Sequence, residues 1–312
     1  MEHPQIAIIV LNWNGKEDTI RCLDSLKRLT YSHYSIIVVD NGSKDGSLDQ
    51  FNRMYPEIET IQNETNLGYA GGNNVGIRRA LQMGVKYVLL LNNDTIVDPR
   101  LLNNLVDEME SDSSIGIAGP TVFDYSSQNS VQATGGRVDW MRGRARRVRG
   151  VPFERSTDVD CVSGSCLLAR TEAVYMVGCL DEDYFAHWEE IDWCIRFKKA
   201  GYRVVWVQSA KIWHKGGATG SRIGGFREYQ NSRNRLWFMR KQAGTTHLAS
   251  FFFYFSIFDF WFDILTHLRN GGMDGLGAFL RGTYDGLGPI PGSKDRLISE
   301  MKTDNARCQK EG

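Results

Sequence analysis

The apolar residues of the N-terminal half fall in short unbroken runs, each stopped by a polar cluster and followed by a stretch of helical spacing. The first run, residues 6–11, ends at Asn12, Trp13, Asn14 and Gly15, after which Ile20, Leu23, Leu26 and Leu29 predict a helix over 17–29. A second run, residues 35–39, stops at Asp40 and a turn-rich loop, Asn41 to Ser47, with helix-capping residues. A third strand over 58–62 leads into residues 66–74, whose glycines permit close backbone approach to a ligand, and a helix follows to about Met83. The fourth run, Val88, Leu89, Leu90 and Leu91, meets Asn92, Asn93 and Asp94, with a helix start at Asp98 and Pro99. Unbroken runs of this kind predict strands buried on both faces of a parallel α/β sheet. In such sheets ligands bind beyond the carboxyl ends of the strands, where these polar loops are delivered.

Farther along, Val162 to Cys166 precede an apolar strand, a helix is predicted over 191–200 ending at Gly201, and a strand over 203–207 leads to Trp213 and His214. After Gly225 the composition shifts. An arginine-rich helix is predicted over 228–241, and residues 248–268 then hold nine aromatics in about six helical turns. Ser256, Asp259, Asp263 and Thr266 form one polar stripe on that segment, which reads either as a helix lying in a membrane surface or lipid groove, or as an aromatic packing surface. Residues from 271 onward are glycine-rich, and the charged last fifteen or so are expected to fray. Two units are expected: an α/β domain over 1–225 and a C-terminal helical segment over 226–312.

At 312 residues, 42% hydrophobic, the chain can bury one large core and carry an appendage. Thirty-seven basic and thirty-seven acidic residues balance, so no global field recruits nucleic acid, and none is expected as a partner. Six scattered cysteines without a C-x-x-C pair fit a reducing compartment. The first apolar run is too short for a signal peptide, so a cytoplasmic location is expected, with a place on the inner face of the cell membrane if the aromatic helix touches lipid.

Three clusters carry candidate chemistry. Asp94, at the end of a buried strand, is placed to hold a metal or polar ligand, although a polar turn capping the next helix would look the same. Glu189, Glu190 and Asp192 crowd three carboxylates into four residues at a helix start, which raises a pKa and suits a general base, or else complements the helix dipole. The basic run from Arg142 to Gly150 is either a solvated hairpin or an acceptor-side loop that meets phosphate. His214 alone reads as a structural histidine. The glycine-rich stretch is neither a P-loop nor a dinucleotide fingerprint.

Taken together, the blocks Val10-Leu11-Asn12-Trp13-Asn14, Val39-Asp40-Asn41-Gly42-Ser43, Asn66-Leu67-Gly68-Tyr69-Ala70-Gly71-Gly72-Asn73-Asn74, Leu90-Leu91-Asn92-Asn93-Asp94 and His187-Trp188-Glu189-Glu190-Ile191-Asp192 resemble a family 2 glycosyltransferase of the GT-A fold. The likeness is strongest to its rhamnosyltransferase-like members. The resemblance implies a Rossmann-like, mostly parallel sheet flanked by helices, with a C-terminal helical appendage. It implies that Asp40 contacts the nucleotide base or ribose, that Asn14, Asn66, Gly68, Asn73 and Asn92 line the donor site, and that Asp94 binds a divalent metal, Mg²⁺ or Mn²⁺. Asn92 stands where the family's Asp-x-Asp has its first aspartate, so the site brings one negative charge fewer. Glu190 would be the base that deprotonates the acceptor, Gly164, Trp188 and Glu189 would lie on the acceptor side, and His214 would complete the metal site.

The implied reaction is inverting transfer from a UDP- or dTDP-sugar, with rhamnose a candidate, to a glycan or lipid-linked acceptor in surface polysaccharide synthesis. Two alternatives stand beside it: a sugar-1-phosphate nucleotidylyltransferase, which should carry a basic glycine-rich loop after its first strand, and a non-catalytic carbohydrate or assembly module, which would lose the acidic pair.

Overall fold

The computed structural model describes residues 4–148, 156–216, 224–269 and 273–291. Arg149 and Gly150 of the basic run, Gly217, and the charged C-terminal residues lie outside them. In chain order the strands are β1 (Ile6–Asn12), β2 (Tyr34–Asp40), β3 (Glu59–Gln62), β4 (Tyr87–Asn92), β5 (Thr95–Val97), β6 (Ile115–Asp124), β7 (Val131–Ala133), β8 (Gly136–Asp139), β9 (Arg144–Arg147), β10 (Thr157–Asp158), β11 (Cys166–Arg170) and β12 (Arg203–His214). The helices are α1 (Lys16–Leu26), α2 (Ser47–Met54), α3 (Gly68–Gln82), α4 (Leu101–Ser111), α5 (Thr171–Val177), α6 (Glu189–Lys199), α7 (Phe226–Gln242), α8 (Thr245–Tyr254), α9 (Phe260–Arg269) and α10 (Met273–Leu287).

The main sheet runs β10-β12-β6-β11-β4-β1-β2-β3. Strands β1, β2, β3 and β4 pair in parallel, as do β6 and β12, and β11 lies antiparallel between β4 and β6. Six of these strands therefore point one way, and the mostly parallel sheet expected from the unbroken apolar runs is observed. Successive side chains of β1 serve two cores: Ile6, Ile8 and Val10 meet Leu23, Leu26 and Leu105 on one face, while Ala7 and Ile9 meet Ile77, Trp193 and Phe197 on the other. Both faces are covered, so no polar alternation survives in the sequence of this strand.

Several boundaries move. The helix expected to follow the glycine-rich stretch begins inside it, at Gly68, and its glycines make room for protein packing. A Cβ on Gly72 would meet Leu11 Cδ1 at 2.5 Å, and one on Gly76 would meet Ile9 Cγ2 at 2.5 Å. The segment after Asp94 adds the short strand β5 before α4 starts at Leu101, because Thr95, Ile96 and Val97 pair with the end of β12. Helix α10, built from the glycine-rich stretch of the expected C-terminal helical segment, packs on α7.

The C-terminal segment shares a core with the rest. Tyr184, Trp188 and Ile195 pack with Leu236, Phe238, Met239, Phe251 and Phe255, so the boundary expected at residue 225 runs through one apolar cluster. Residues 245–269 form a continuous helical stretch in which a π-helical turn, Phe255–Asp259, joins α8 to α9. Its polar stripe divides. Asp259 is buried against Arg142, Arg144 and Arg235, and Asp263 pairs with Arg144 and Arg235, whereas Ser256 and Thr266 are exposed. The outer face is apolar: Phe253, Ile257, Phe258, Trp261, Phe262, Leu265 and Leu268 are all exposed, Phe262 at 63%. The stretch Thr245–Arg269 is long and apolar enough to cross a membrane by length and composition, with mean hydropathy 1.5.

Candidate active site

At the carboxyl edge of the parallel sheet the polar loops lock onto one another. Asn12, at the end of β1, is fully buried, and its Nδ2 lies 2.8 Å from Asp40 Oδ1, 2.8 Å from Ser47 Oγ and 3.1 Å from Ser43 Oγ. Its Oδ1 accepts from Gly15 N, Thr19 Oγ1 and Asn93 Nδ2. Asp40 is also fully buried and accepts from Ser43 N at 3.0 Å. These donors hold the buried carboxylate in place at the start of the loop after β2. Asp40 thus bonds to Asn12 and to the loop after β2, at the strand end where the sequence reading expected it to contact the nucleotide base or ribose.

The other residues expected on the donor side divide in the same way. Asn14, at φ 50°, accepts from Lys44 N and receives its backbone position from Ser43 Oγ. Asn66 Oδ1 accepts from Asn41 Nδ2 and Gly68 N. Gly68, at φ +75°, lets the Phe185 carbonyl come against the N-terminus of α3, where it accepts from Tyr69 N at 2.6 Å and Ala70 N at 3.2 Å; a Cβ at Gly68 would meet that oxygen at 2.5 Å. That helix start is therefore occupied by protein. Asn73 is buried and donates to its own helix, to Tyr69 O.

Asp94, Asn92 and His214 do come together. The Nε2 of His214 lies 3.1 Å from Asp94 Oδ1 and 3.3 Å from Asn92 Nδ2. The other ring nitrogen, Nδ1, is 2.8 Å from Gln132 Oε1 on β7, an oxygen that only accepts. In the neutral ring this places the proton on Nδ1 and the lone pair on Nε2, facing Asp94 and Asn92. One carboxylate and one imidazole lone pair fit a divalent ion that takes its remaining ligands from phosphate and water, the usual manner of Mg²⁺. Among the described residues no group of three or more His, Cys, Asp or Glu side chains gathers around a common point. Gln132 had no signal in the sequence; only the pairing of β7 with β6 carries it to His214.

The acid loop is built differently. Among the described residues the non-glycine positions with positive φ are Asn14, Phe185 (61°), His187 (68°) and Trp188 (80°), so three of the four precede Glu189 directly. Such conformations cost ~1–3 kcal/mol each and persist only where the surroundings hold them. Helix α7 supplies the hold: Asn234 Nδ2 donates to the carbonyls of Tyr184, Ala186 and His187 at 2.7–2.9 Å, and Arg233 donates to those of Asp183 and Tyr184. Trp188 is buried and packs on Phe238 at 5.2 Å between ring centroids.

Glu189 Oε2 and Glu190 Oε2 are both buried without a hydrogen-bond partner. Burial, and then repulsion from Glu190, hold the Glu189 carboxyl well above the usual range; burial also raises Glu190. Asp192, the third carboxylate of the block, is taken up by Arg196 Nε at 2.7 Å, Gln242 Nε2 at 2.7 Å and Tyr184. Gly164 lies against Glu190, where an added Cβ would stand 3.3 Å from Glu190 Cβ and Cγ, and its carbonyl accepts from Tyr69 Oη. Burial raises the Tyr69 hydroxyl well above its usual range, with further contributions from Glu189, Glu190 and Asp94. Glu189, Glu190 and Asp94 are thus within electrostatic reach of the one phenol. The arginines of the β8–β9 hairpin are largely engaged with protein: Arg142, Arg144 and Arg146 pair with Asp259, Asp263 and Asp139.

A mostly parallel sheet with an acid-and-histidine pair at its carboxyl edge and a second acidic loop facing it is the GT-A arrangement of nucleotide-sugar-dependent enzymes. The chain belongs to glycosyl transferase family 2, whose description matches residues 7–178, and it is a glycosyltransferase. It is 30% identical over 234 residues to the N-acetylglucosaminyl-diphospho-decaprenol L-rhamnosyltransferase of Mycobacterium tuberculosis, covering 67% of this chain and 75% of that protein. It is 23% identical over 245 residues to the dTDP-rhamnosyl transferase RfbF of Shigella flexneri, covering 76% and 80%. Among solved structures it is similar to the mannosyltransferase PcManGT of Pyrobaculum calidifontis in complex with GDP-Man and Mn²⁺, with TM-score 0.60, 14% identity, and coverage of 99% and 81%. Family membership sets aside the nucleotidylyltransferase and non-catalytic alternatives.

Proposed function

We propose that this glycosyltransferase moves a deoxyhexose, rhamnose, from a dTDP-sugar to a sugar hydroxyl of a diphospho-polyprenol-linked acceptor, with inversion at the anomeric carbon. The names of the two similar proteins support donor and acceptor class. The observation that carries the mechanism is the pair of unpartnered, buried carboxylate oxygens on Glu189 and Glu190 at the head of α6. A base must have a lone pair free to take the acceptor's proton, and a raised pKa brings its strength toward that of a neutral-pH catalyst. Glu190, set against Gly164, takes the proton from the attacking hydroxyl. Burial raises both carboxyls, and the charge of Glu190 adds to the rise at Glu189, so the two titrate as a pair beside the acceptor. A single in-line displacement then inverts configuration without a glycosyl-enzyme intermediate.

Asp94 and His214 would hold a Mg²⁺ or Mn²⁺ ion, which when bound neutralises charge on the diphosphate leaving group. Asn92 Nδ2 is free to donate a second hydrogen to a ribose or phosphate oxygen. Asn14 and Asn66 shape the loops beside the nucleotide, and Asp40, Gly68 and Asn73 act on the donor through the loops and helix they fix. The outward apolar face of Thr245–Arg269 would rest in the headgroup layer of the membrane that carries the acceptor, with the enzyme on its cytoplasmic side. Incubation with dTDP-rhamnose, UDP-sugars and a short polyprenyl-diphospho-N-acetylglucosamine, with and without Mn²⁺, tests the reading through release of nucleoside diphosphate. Turnover with UDP-sugars alone would overturn the donor assignment, and transfer with retained configuration would overturn the mechanism.

A further inference from the structure

Helix α10 lies close on α7 through glycine: a Cβ on Gly282 would meet Tyr229 O at 2.4 Å, and one on Gly286 would meet Arg233 O at 3.0 Å. Beside that seam lies a cavity of about 600 Å³, within the usual size of small-ligand sites. Its walls are Tyr229, Arg233 and Trp237, one face of α7 at spacings of four, and Tyr284, Asp285 and Pro289 from the other side. The guanidinium of Arg233 is already held, packed on the Trp237 ring at 4.3 Å and bonded through Nη2 to the acid-loop carbonyls. Its Nη1 has no partner among the described residues. Asp285 accepts from Tyr229 Oη through Oδ2 at 2.7 Å, and its Oδ1 has no partner among them either.

We infer that this cavity is a subsite for a neutral sugar ring of the acceptor glycan. An anion would meet the Asp285 carboxylate, a cation would meet Arg233, and a hydrocarbon chain would strand both charged groups away from water. A pyranose satisfies all the walls at once: its C–H face packs on aromatic rings, while adjacent hydroxyls donate to Asp285 Oδ1 and accept from Arg233 Nη1. The cavity is distinct from Asp94 and Glu190, but Arg233 joins it to the carbonyls just before the strained acid loop. A sugar bound here would steady the anchor of the catalytic base as it positions the acceptor. The inference rests on the acceptor being a glycan, as proposed above.

The test is saturation-transfer NMR on the full chain with L-rhamnose, N-acetylglucosamine and a disaccharide of the two as probes, without nucleotide or metal. Sugar protons are expected to receive saturation, and both Tyr284→Ala and Asp285→Asn should weaken binding roughly tenfold, the loss of one ring contact or one charged hydrogen bond. The second variant conserves shape, so thermal melting separates lost binding from lost fold. Absence of saturation in the unaltered protein, affinity in both variants unchanged from that of the unaltered protein, or displacement of the sugar by inorganic pyrophosphate or by farnesol would overturn the assignment. Donor hydrolysis measured in parallel separates the two readings. Hydrolysis with unaltered sugar binding in the variants rejects the subsite alone, and variant-sensitive binding without hydrolysis supports the subsite while rejecting the proposed donor reaction.

Discussion

At the ends of β1 and β2, Asn12 and Asp40 are wholly buried and bonded to each other and to Ser43, Ser47 and Thr19; at the head of α6, Glu189 is buried and Glu190 half-buried, yet each keeps a buried oxygen with no partner. Both regions are polar clusters beyond the sheet, but the first is satisfied within itself. The second is held in place by others: Asn234 and Arg233 bind the backbone of the strained turn and leave the carboxylates free. A buried acid therefore says little by itself. Its bonding partners decide whether it braces a loop or does chemistry.

The largest effect expected from breaking this contrast is at Glu190. Glu190→Gln preserves size but cannot take a proton, so turnover should fall ~10²–10⁴-fold with nucleotide affinity unchanged, as read from steady-state rates and titration calorimetry. A loss below tenfold would remove Glu190 from the role of base. Next, Asp94→Asn and His214→Ala should each weaken Mn²⁺ binding, His214→Ala and Gln132→Ala by ~10–100-fold when the ring is lost or left unoriented. Counting free Mn²⁺ by electron paramagnetic resonance checks this independently of activity, and unchanged binding in His214→Ala would show that the histidine is not a ligand.

Smaller effects follow on the supporting side. Asn234→Ala takes the side-chain donor from the carbonyls of Ala186 and His187 and leaves Tyr184 with Arg233 alone, and should lower unfolding free energy by up to ~3 kcal/mol in urea while also lowering turnover. Asp40→Ala should cost ~1–2 kcal/mol of stability, with any loss of nucleotide affinity arising through the loosened loop. If affinity falls while the denaturation midpoint stays fixed, Asp40 faces the nucleotide after all and the contrast fails at that residue.

The smallest change expected is one of pH dependence. The folded state holds protons on Glu189 and Glu190 to higher pH than the unfolded chain, because both carboxyls are raised. Their contribution is fully present below the ordinary carboxylate pKa and is lost as pH rises through the raised folded values. Glu189→Gln should flatten that alkaline decline in melting temperature, whereas a decline of unaltered slope would mean that the pair ionises normally.

Periodicity and local chemistry carried much of the architecture. Unbroken runs such as residues 6–11 and 88–91 specify strands covered on both faces, since a strand with one wet face must alternate. The acid block at Glu189 and the ordered strand-end motifs were likewise visible, because each is a short stretch whose residue types carry the signal. The aromatic stretch over 248–268 was legible as a helix but not in its orientation. The polar stripe was visible, but not what it meets: Asp259 and Asp263 turn inward to Arg142, Arg144 and Arg235, and many of the aromatics face out.

What the sequence determined by itself was which segments form strands and helices and which ends carry acids, amides and glycines, since those follow from neighbours within a few residues. Tertiary structure alone decided which of those groups stay free. Asp40 finds Asn12 at a separation of 28 residues, His214 finds Gln132 at 82 and Asn92 at 122, and the turn carbonyls find Asn234 nearly 50 residues on. A hydrogen bond is short-ranged in space and indifferent to distance along the chain, so until the sheet and α7 are assembled nothing local distinguishes a bracing carboxylate from a catalytic one.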